Sequence, residues 1–146
     1  MSTNAVTMGT SKVNLNDLTI LVVDDESSVT RLVRMMLSDM GVTQVFTAKN
    51  GKEALDLLGE FQEDIDIVIC DWNMPTISGL DLLRQIRTVD PDLPFLMLTA
   101  RADIASVKDA RDYGVTDYLR KPFSAETMQK KITMHARSLA ARRSIE

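Results

Sequence analysis

The chain of 146 residues has one cysteine, Cys70, and one histidine, His135. A single thiol excludes an intrachain disulfide and a cysteine-built zinc cluster. A single imidazole excludes three-histidine and two-histidine metal sites. No apolar run approaches the roughly 20 residues that cross a bilayer. Residues 1–16 lack the apolar stretch of a signal peptide and the arginines of a transit peptide. There is no internal repeat and no low-complexity segment. Nor is there an excess of positive charge: 17 Lys and Arg stand against 21 Asp and Glu, a net of −4. That balance disfavours direct, non-specific DNA binding. A cytoplasmic protein with no membrane span is expected, in keeping with its lone thiol.

What is present is an ordinary globular composition, 45% hydrophobic and 26% charged, in a length that suits one domain. The charge is uneven. From Ser124 to Glu146 five basic residues face two acidic ones, a net of +3, whereas the rest of the chain carries −7. Residues 1–16 read as a flexible leader, 17–140 as the folded domain, and 141–146 as a basic extension of the last helix.

Two kinds of segment alternate after the leader. Leu18–Val23, Ile65–Cys70 and Pro94–Thr99 are short apolar runs of the kind buried on both faces of a parallel sheet. Gln44–Ala48 and Asp117–Arg120 are weaker strand candidates. Between them lie helical faces. Val29, Leu32, Val33, Met36, Leu37 and Met40 form one, stopped by Gly41. Ala54, Leu55, Leu58 and Phe61 form a second. Leu82, Leu83 and Ile86 form a third, with Ser78 and Asp81 as a capping pair. Ile104, Val107 and Ala110 form a fourth, ended by Gly114. Met128, Ile132, Ala136 and Leu139 form a fifth, with Ser124 as N-cap. Strand–helix units with short links imply right-handed crossovers. The expected fold is α/β: a (βα)₅ doubly wound, flavodoxin-like parallel sheet of five strands in the order 2-1-3-4-5.

In such sheets the functional crevice lies beyond the carboxyl ends of the strands, where the strand order reverses. The first strand ends in Asp24 and Asp25, the third in Asp71, the fourth in Thr99 and the fifth in Arg120-Lys121-Pro122. The reversal between strands one and three brings Asp24, Asp25 and Asp71 together. Two unit charges about 4 Å apart repel by roughly 4 kcal/mol at an effective dielectric of about 20. A carboxylate there either holds a proton or shares a cation. All-oxygen ligands favour Mg²⁺, with Mn²⁺ possible, over Zn²⁺. Thr99 and Lys121 add donors for anionic oxygens. Carboxylates, a hard cation, a hydroxyl and an ammonium together suit a phosphoryl group, with one carboxylate as its acceptor. Taken singly, an aspartate ending a strand is an ordinary turn or cap residue. The joint pattern at four of five strand ends argues for chemistry.

These residues also resemble a known family. Leu21-Val22-Val23-Asp24-Asp25, Cys70-Asp71-Trp72-Asn73-Met74-Pro75 with Gly79, Leu98-Thr99-Ala100 and Tyr118-Leu119-Arg120-Lys121-Pro122-Phe123 are similar to the motifs of the receiver domain of two-component response regulators, in the single-domain form used in chemotaxis. The likeness runs from about Leu18 to Leu139. It implies that Asp71 is the phosphoacceptor and that Asp24, Asp25 and Asp71, with the backbone carbonyl of Asn73, hold Mg²⁺. It implies that Thr99, the backbone N–H of Ala100 and Lys121 bind the phosphoryl group. It further implies a cis peptide between Lys121 and Pro122, and a switch made by Thr99 and Tyr118. The implied donor is a histidine kinase or a histidine-phosphotransfer protein. The implied output is a downstream protein bound on the face of the fourth helix, fifth strand and fifth helix. The protein would then be a switch and not an enzyme, apart from its own phosphotransfer and slow autodephosphorylation.

An alternative within the same family is a phosphorelay shuttle or phosphate sink with no target-binding output. A haloacid-dehalogenase type of phosphohydrolase fits poorly, because Asn73 stands where a second aspartate is wanted. Other residues read more plainly. Cys70 is a buried strand residue, His135 packs on the last helix, and Arg101 is a solvated loop residue that could instead reach the phosphate. The basic tail complements the helix dipole or forms a patch for an acidic partner.

Overall fold

The computed structural model describes residues 5–8, 11–100 and 104–145. Arg101 lies outside them. The strands are β1 (Ala5–Met8), β2 (Ser11–Asn14), β3 (Thr19–Val23), β4 (Gln44–Ala48), β5 (Ile67–Asp71), β6 (Phe95–Thr99) and β7 (Asp117–Arg120). The helices are α1 (Ser27–Met40), α2 (Gly51–Phe61), α3 (Gly79–Val89), α4 (Ile104–Asp112) and α5 (Ala125–Ile145).

The five strands from β3 onward form one parallel sheet in the order β4-β3-β5-β6-β7. Counting only those strands, this is the expected order 2-1-3-4-5. The alternation along each strand divides the core in two. Ile20, Val22, Ile67, Ile69, Leu96 and Leu98 point to one face, where they pack with Val33 and Leu37 of α1 and Met128 and Ile132 of α5. Leu21, Val23, Val68, Cys70, Phe95 and Met97 point to the other, against α2, α3 and Ala110 of α4. The three central strands are buried along their whole length, which is why they read as unbroken apolar runs.

Helix ends follow the local sequence. Gly41 closes α1 in a left-handed conformation, φ 103°, and its N–H donates to the Leu37 and Ser38 carbonyls. Ser78 Oγ accepts the Asp81 N–H, and Ser124 Oγ accepts the Thr127 N–H. Asn50 caps α2 by accepting the Glu53 N–H.

The leader differs from expectation. Residues 5–8 and 11–14 pair as the antiparallel strands β1 and β2, and β2 runs beside α5. Leu15 is already buried in the core. Val6, Thr7 and Val13 are β-branched and suit strands. The packing partner is a helix more than a hundred residues away, so its influence was invisible locally. At the other end, α5 continues to Ile145 and carries the basic residues as one helix.

Candidate functional site

The register of the sheet builds the site. Val23 pairs with both Ala48 and Cys70, so Asp24 and Asp71 follow at the same level on neighbouring strands. Asp71 pairs with Leu98, and Thr99 pairs with Arg120. Thr99 and Lys121 therefore stand on the same rim. Backbone bonds hold the rim in place: Asp24 N–H to the Ala48 carbonyl at 3.0 Å, Trp72 N–H to Leu98 at 3.0 Å, and Lys121 N–H to Thr99 at 2.8 Å.

Three carboxylates meet there. Asp24 and Asp71 are buried, Asp25 is exposed, and one oxygen of each lies within 4.8 Å of the others. Lys121 Nζ donates to Asp71 Oδ1 at 3.0 Å and lies 3.6 Å from Asp24 Oδ2. One ammonium faces three carboxylates, so the pocket keeps an excess of negative charge. Asp24 shows the result. Its Oδ1 accepts the Glu26 N–H at 2.9 Å, but its Oδ2 is buried and makes no hydrogen bond. Burial raises the Asp24 carboxyl to about 6, with Asp71 and Asp25 adding to the rise and the Glu26 N–H and Lys121 opposing it. Lys121 responds in the other sense. Burial lowers its ammonium, but the hydrogen bond and charge of Asp71, with Asp24 and Glu26, outweigh that and hold it above its ordinary value.

This donor set fits a hard divalent cation. An ion between the carboxylates would satisfy the orphaned Asp24 Oδ2 and cancel the repulsion that burial amplifies. A cleft of about 230 Å³ opens beside Asp24 and Asp25, walled by Ser27, Thr30, Thr47 and Lys49.

Two backbone features shape the floor. A Cβ on Gly79 would sit 2.3 Å from the Asp71 carbonyl and 3.0 Å from Trp72 Cα. Only glycine lets α3 begin directly beneath Asp71, where the Gly79 N–H donates to the Trp72 carbonyl. Thr76 has φ 70°, and the Ile77 N–H donates across it to Pro75 at 2.8 Å. Such a γ-turn is strained for a β-branched residue. The motif containing Gly79 was evident from the sequence; the close approach that requires glycine was not.

The remaining predicted residues are distributed around this centre. Thr99 is buried, while Asn73 and Ala100 are exposed in the loops after β5 and β6. The Lys121–Pro122 peptide is cis. Tyr118 stands apart from the carboxylates: its hydroxyl donates to the Val107 carbonyl of α4 at 2.8 Å. Cys70 is fully buried, and desolvation with the Asp71 and Asp24 charges pushes its thiol well above the usual range. His135 does more than pack. Its Nε2 lies 2.8 Å from Asp117 Oδ2, and Lys131 Nζ lies 2.7 Å from Asp117 Oδ1.

Fold, strand-end carboxylates and a lysine on the central aspartate together define a receiver site. The family model described as response regulator receiver domain matches residues 20–133, and the chain belongs to that family. Among similar proteins is chemotaxis protein CheY-3 of Vibrio cholerae, 40% identical over 118 residues, covering 80% of this chain and 89% of that protein. Chemotaxis protein CheY of Pseudomonas aeruginosa is 39% identical over 115 residues, covering 77% and 91%. A crystal structure of a response regulator receiver domain protein from Clostridium thermocellum superposes with a TM-score of 0.76 at 32% identity, covering 88% of this chain and 98% of that one. Among the described residues no helix is long and apolar enough to cross a membrane.

Proposed function

We propose that the chain is a cytoplasmic receiver that takes a phosphoryl group onto Asp71 and uses it to change which partner it binds. The observation that carries this reading is the Lys121 ammonium, 3.0 Å from Asp71 Oδ1, beside two further carboxylates on the same rim. Asp24, Asp25, Asp71 and the Asn73 carbonyl would hold Mg²⁺. When bound, the ion offsets charge on the transferring phosphoryl oxygens.

The chain's own residues do the rest. An Asp71 oxygen attacks the phosphorus of a phosphohistidine on a kinase or phosphotransfer protein. The P–N bond breaks, and the imidazole nitrogen leaves with the electron pair. Lys121, held charged by Asp71 and Asp24, faces the oxygens on which charge accumulates. Thr99 and the Ala100 N–H complete the cradle. New charge on Asp71 then draws Thr99 toward it and leaves room for the Tyr118 ring. Breaking the Tyr118–Val107 hydrogen bond would release α4 from β7 and shift the population of that face. The only reaction the chain performs is on itself.

The test is phosphorylation of wild type and Asp71→Asn by acetyl phosphate, with beryllofluoride as a second probe, each with Mg²⁺. Modification of wild type alone supports the assignment. Equal modification of both proteins overturns it.

A further inference from the structure

The edge of the sheet opposite the carboxylate rim carries a second cleft. It holds about 570 Å³, within the range of small-molecule sites. Asp66 lines it just before β5 begins, whereas Asp71 closes that strand. The strand between them sets the two about 17 Å apart. Ile65, Leu93 and Leu139 give the cleft a buried apolar lining.

The topology sorts its charges. Glu63 follows α2 and Asp92 follows α3, helices that pack on one face of the sheet. Arg142 and Arg143 come from α5, on the other face. Acid and base therefore enter from opposite sides of the sheet edge. Some of these groups are already committed. Arg143 pairs with Asp66, and Asp90 Oδ1 accepts the Asp92 and Leu93 N–H groups at 3.0 and 3.1 Å. Arg87 of α3 spends its donors on the Gly114 and Asp90 carbonyls and the Thr116 hydroxyl. Glu63, Asp92 and Arg142 are left. All three are exposed, and their side chains make no hydrogen bond or ion pair among the described residues. The backbone adds to the acidic side. The C-termini of α2, α3 and α5 all end beside residues that line the cleft, and the partial negative charge of a helix C-terminus favours a cation.

We propose that this cleft binds a basic amino acid, a ligand with two cationic groups and one carboxylate. Its two cations would meet Glu63 and Asp92, and its carboxylate the Arg142 guanidinium. Its methylene stem would lie against Ile65, Leu93 and Leu139. The open charges of cleft and ligand match in number and in sign. A metal ion would leave Arg142 unanswered, and a phosphate would face two free carboxylates and three helix C-termini. The cleft lies at the other end of the strands from Asp71, so the inference is independent of the phosphoacceptor reading.

The probe is L-lysine, titrated into isotope-labelled protein at constant pH and ionic strength and followed by NMR. Saturable shifts should centre on Glu63, Asp92 and Arg142, with a Kd of about 1 mM or below. Cadaverine lacks the carboxylate and norleucine the side-chain ammonium, and each should bind at least about tenfold more weakly. Glu63→Gln with Asp92→Asn should abolish binding. Arg142→Gln should reduce L-lysine to the affinity of cadaverine. The three side chains are exposed and unpaired, so these variants should fold and keep the wild-type Tm. Asp71→Asn should bind like wild type. Equal binding of cadaverine and L-lysine to wild type would overturn the proposal. So would undiminished binding of L-lysine to Arg142→Gln, shifts centred on the Asp24–Asp71 rim, or no saturation by about 20 mM.

Discussion

Two buried aspartates lie at opposite ends of the sheet and meet opposite fates. Asp66, before β5, is saturated: Oδ2 accepts the Thr19 N–H at 2.9 Å and Oδ1 takes the Arg143 guanidinium. Asp24, after β3, is more deeply buried, yet its Oδ2 has no hydrogen bond and its carboxyl is pushed up to about 6. Asp117 belongs with Asp66. Burial raises its carboxyl, but Lys131, His135 and the Tyr118 N–H outweigh burial and hold it below the usual range. A buried carboxylate whose lone pairs are all committed is a brace. One left open in a ring of like charge stores unfavourable energy that a ligand can release. The basic helix end, read from sequence as a complement to the helix dipole or a patch for an acidic partner, also has an internal contact: through Arg143 it ties the last turn of α5 to the start of the sheet.

The comparison can be broken first by removing the brace. Asp66→Ala strands a buried N–H and an arginine, and should lower stability by about 3 kcal/mol in urea unfolding. Asp24→Asn, by contrast, should leave the metal-free protein as stable as wild type or more so. Equal losses would erase the distinction. Next, Mg²⁺ at a hundred times its Kd should stabilise the protein by about 2.7 kcal/mol, several degrees in Tm. Asp24→Asn or Asp25→Asn should abolish that rise, whereas Asp66→Ala should keep it.

The pH dependence should carry opposite signs. The Asp24 carboxyl is raised in the folded state, so the metal-free protein binds a proton that the unfolded chain has lost. Stability should then fall as pH rises from about 4 to 6, by at most about 3 kcal/mol in total. The Asp117 carboxyl is lowered, so its contribution is present above about pH 4 and is lost as pH falls through its folded value. Unfolding in EDTA across this range, with Asp24→Asn and Asp117→Asn, separates the two slopes; a wild-type profile that Asp24→Asn does not flatten would refute the first. The smallest effect is Arg143→Ala, about 1 kcal/mol, because the arginine is half exposed and Asp66 keeps its backbone bond.

The strands that read most clearly are those buried on both faces, Thr19–Val23, Ile67–Asp71 and Phe95–Thr99, because burial and apolar sequence coincide there. The site's aspartates were legible because the parallel topology makes strand ends converge, and strand ends can be counted along a chain. The pairing of β1 with β2, the Arg143–Asp66 pair and the His135–Asp117 contact were not. The second and third join residues 77 and 18 positions apart through side chains that carry no pattern of their own. Gly79 was visible as a motif letter, but its 2.3 Å constraint belongs to the packing of α3 under Asp71.

By itself the sequence determined the alternation of elements, the sheet order and the set of carboxylates at its rim. Periodicity and strand-end position are local quantities, and the handedness of crossovers does the remainder. Only the tertiary structure decided which buried carboxylates are satisfied. Asp24, Asp66 and Asp117 are the same residue type, each flanking or opening a strand. What separates them is whether a distant cation reaches across the fold to meet them. Arg143 and Lys131 do so for two, and Lys121 is shared between Asp71 and Asp24. The charge left over at that rim is the chemical opening of the molecule.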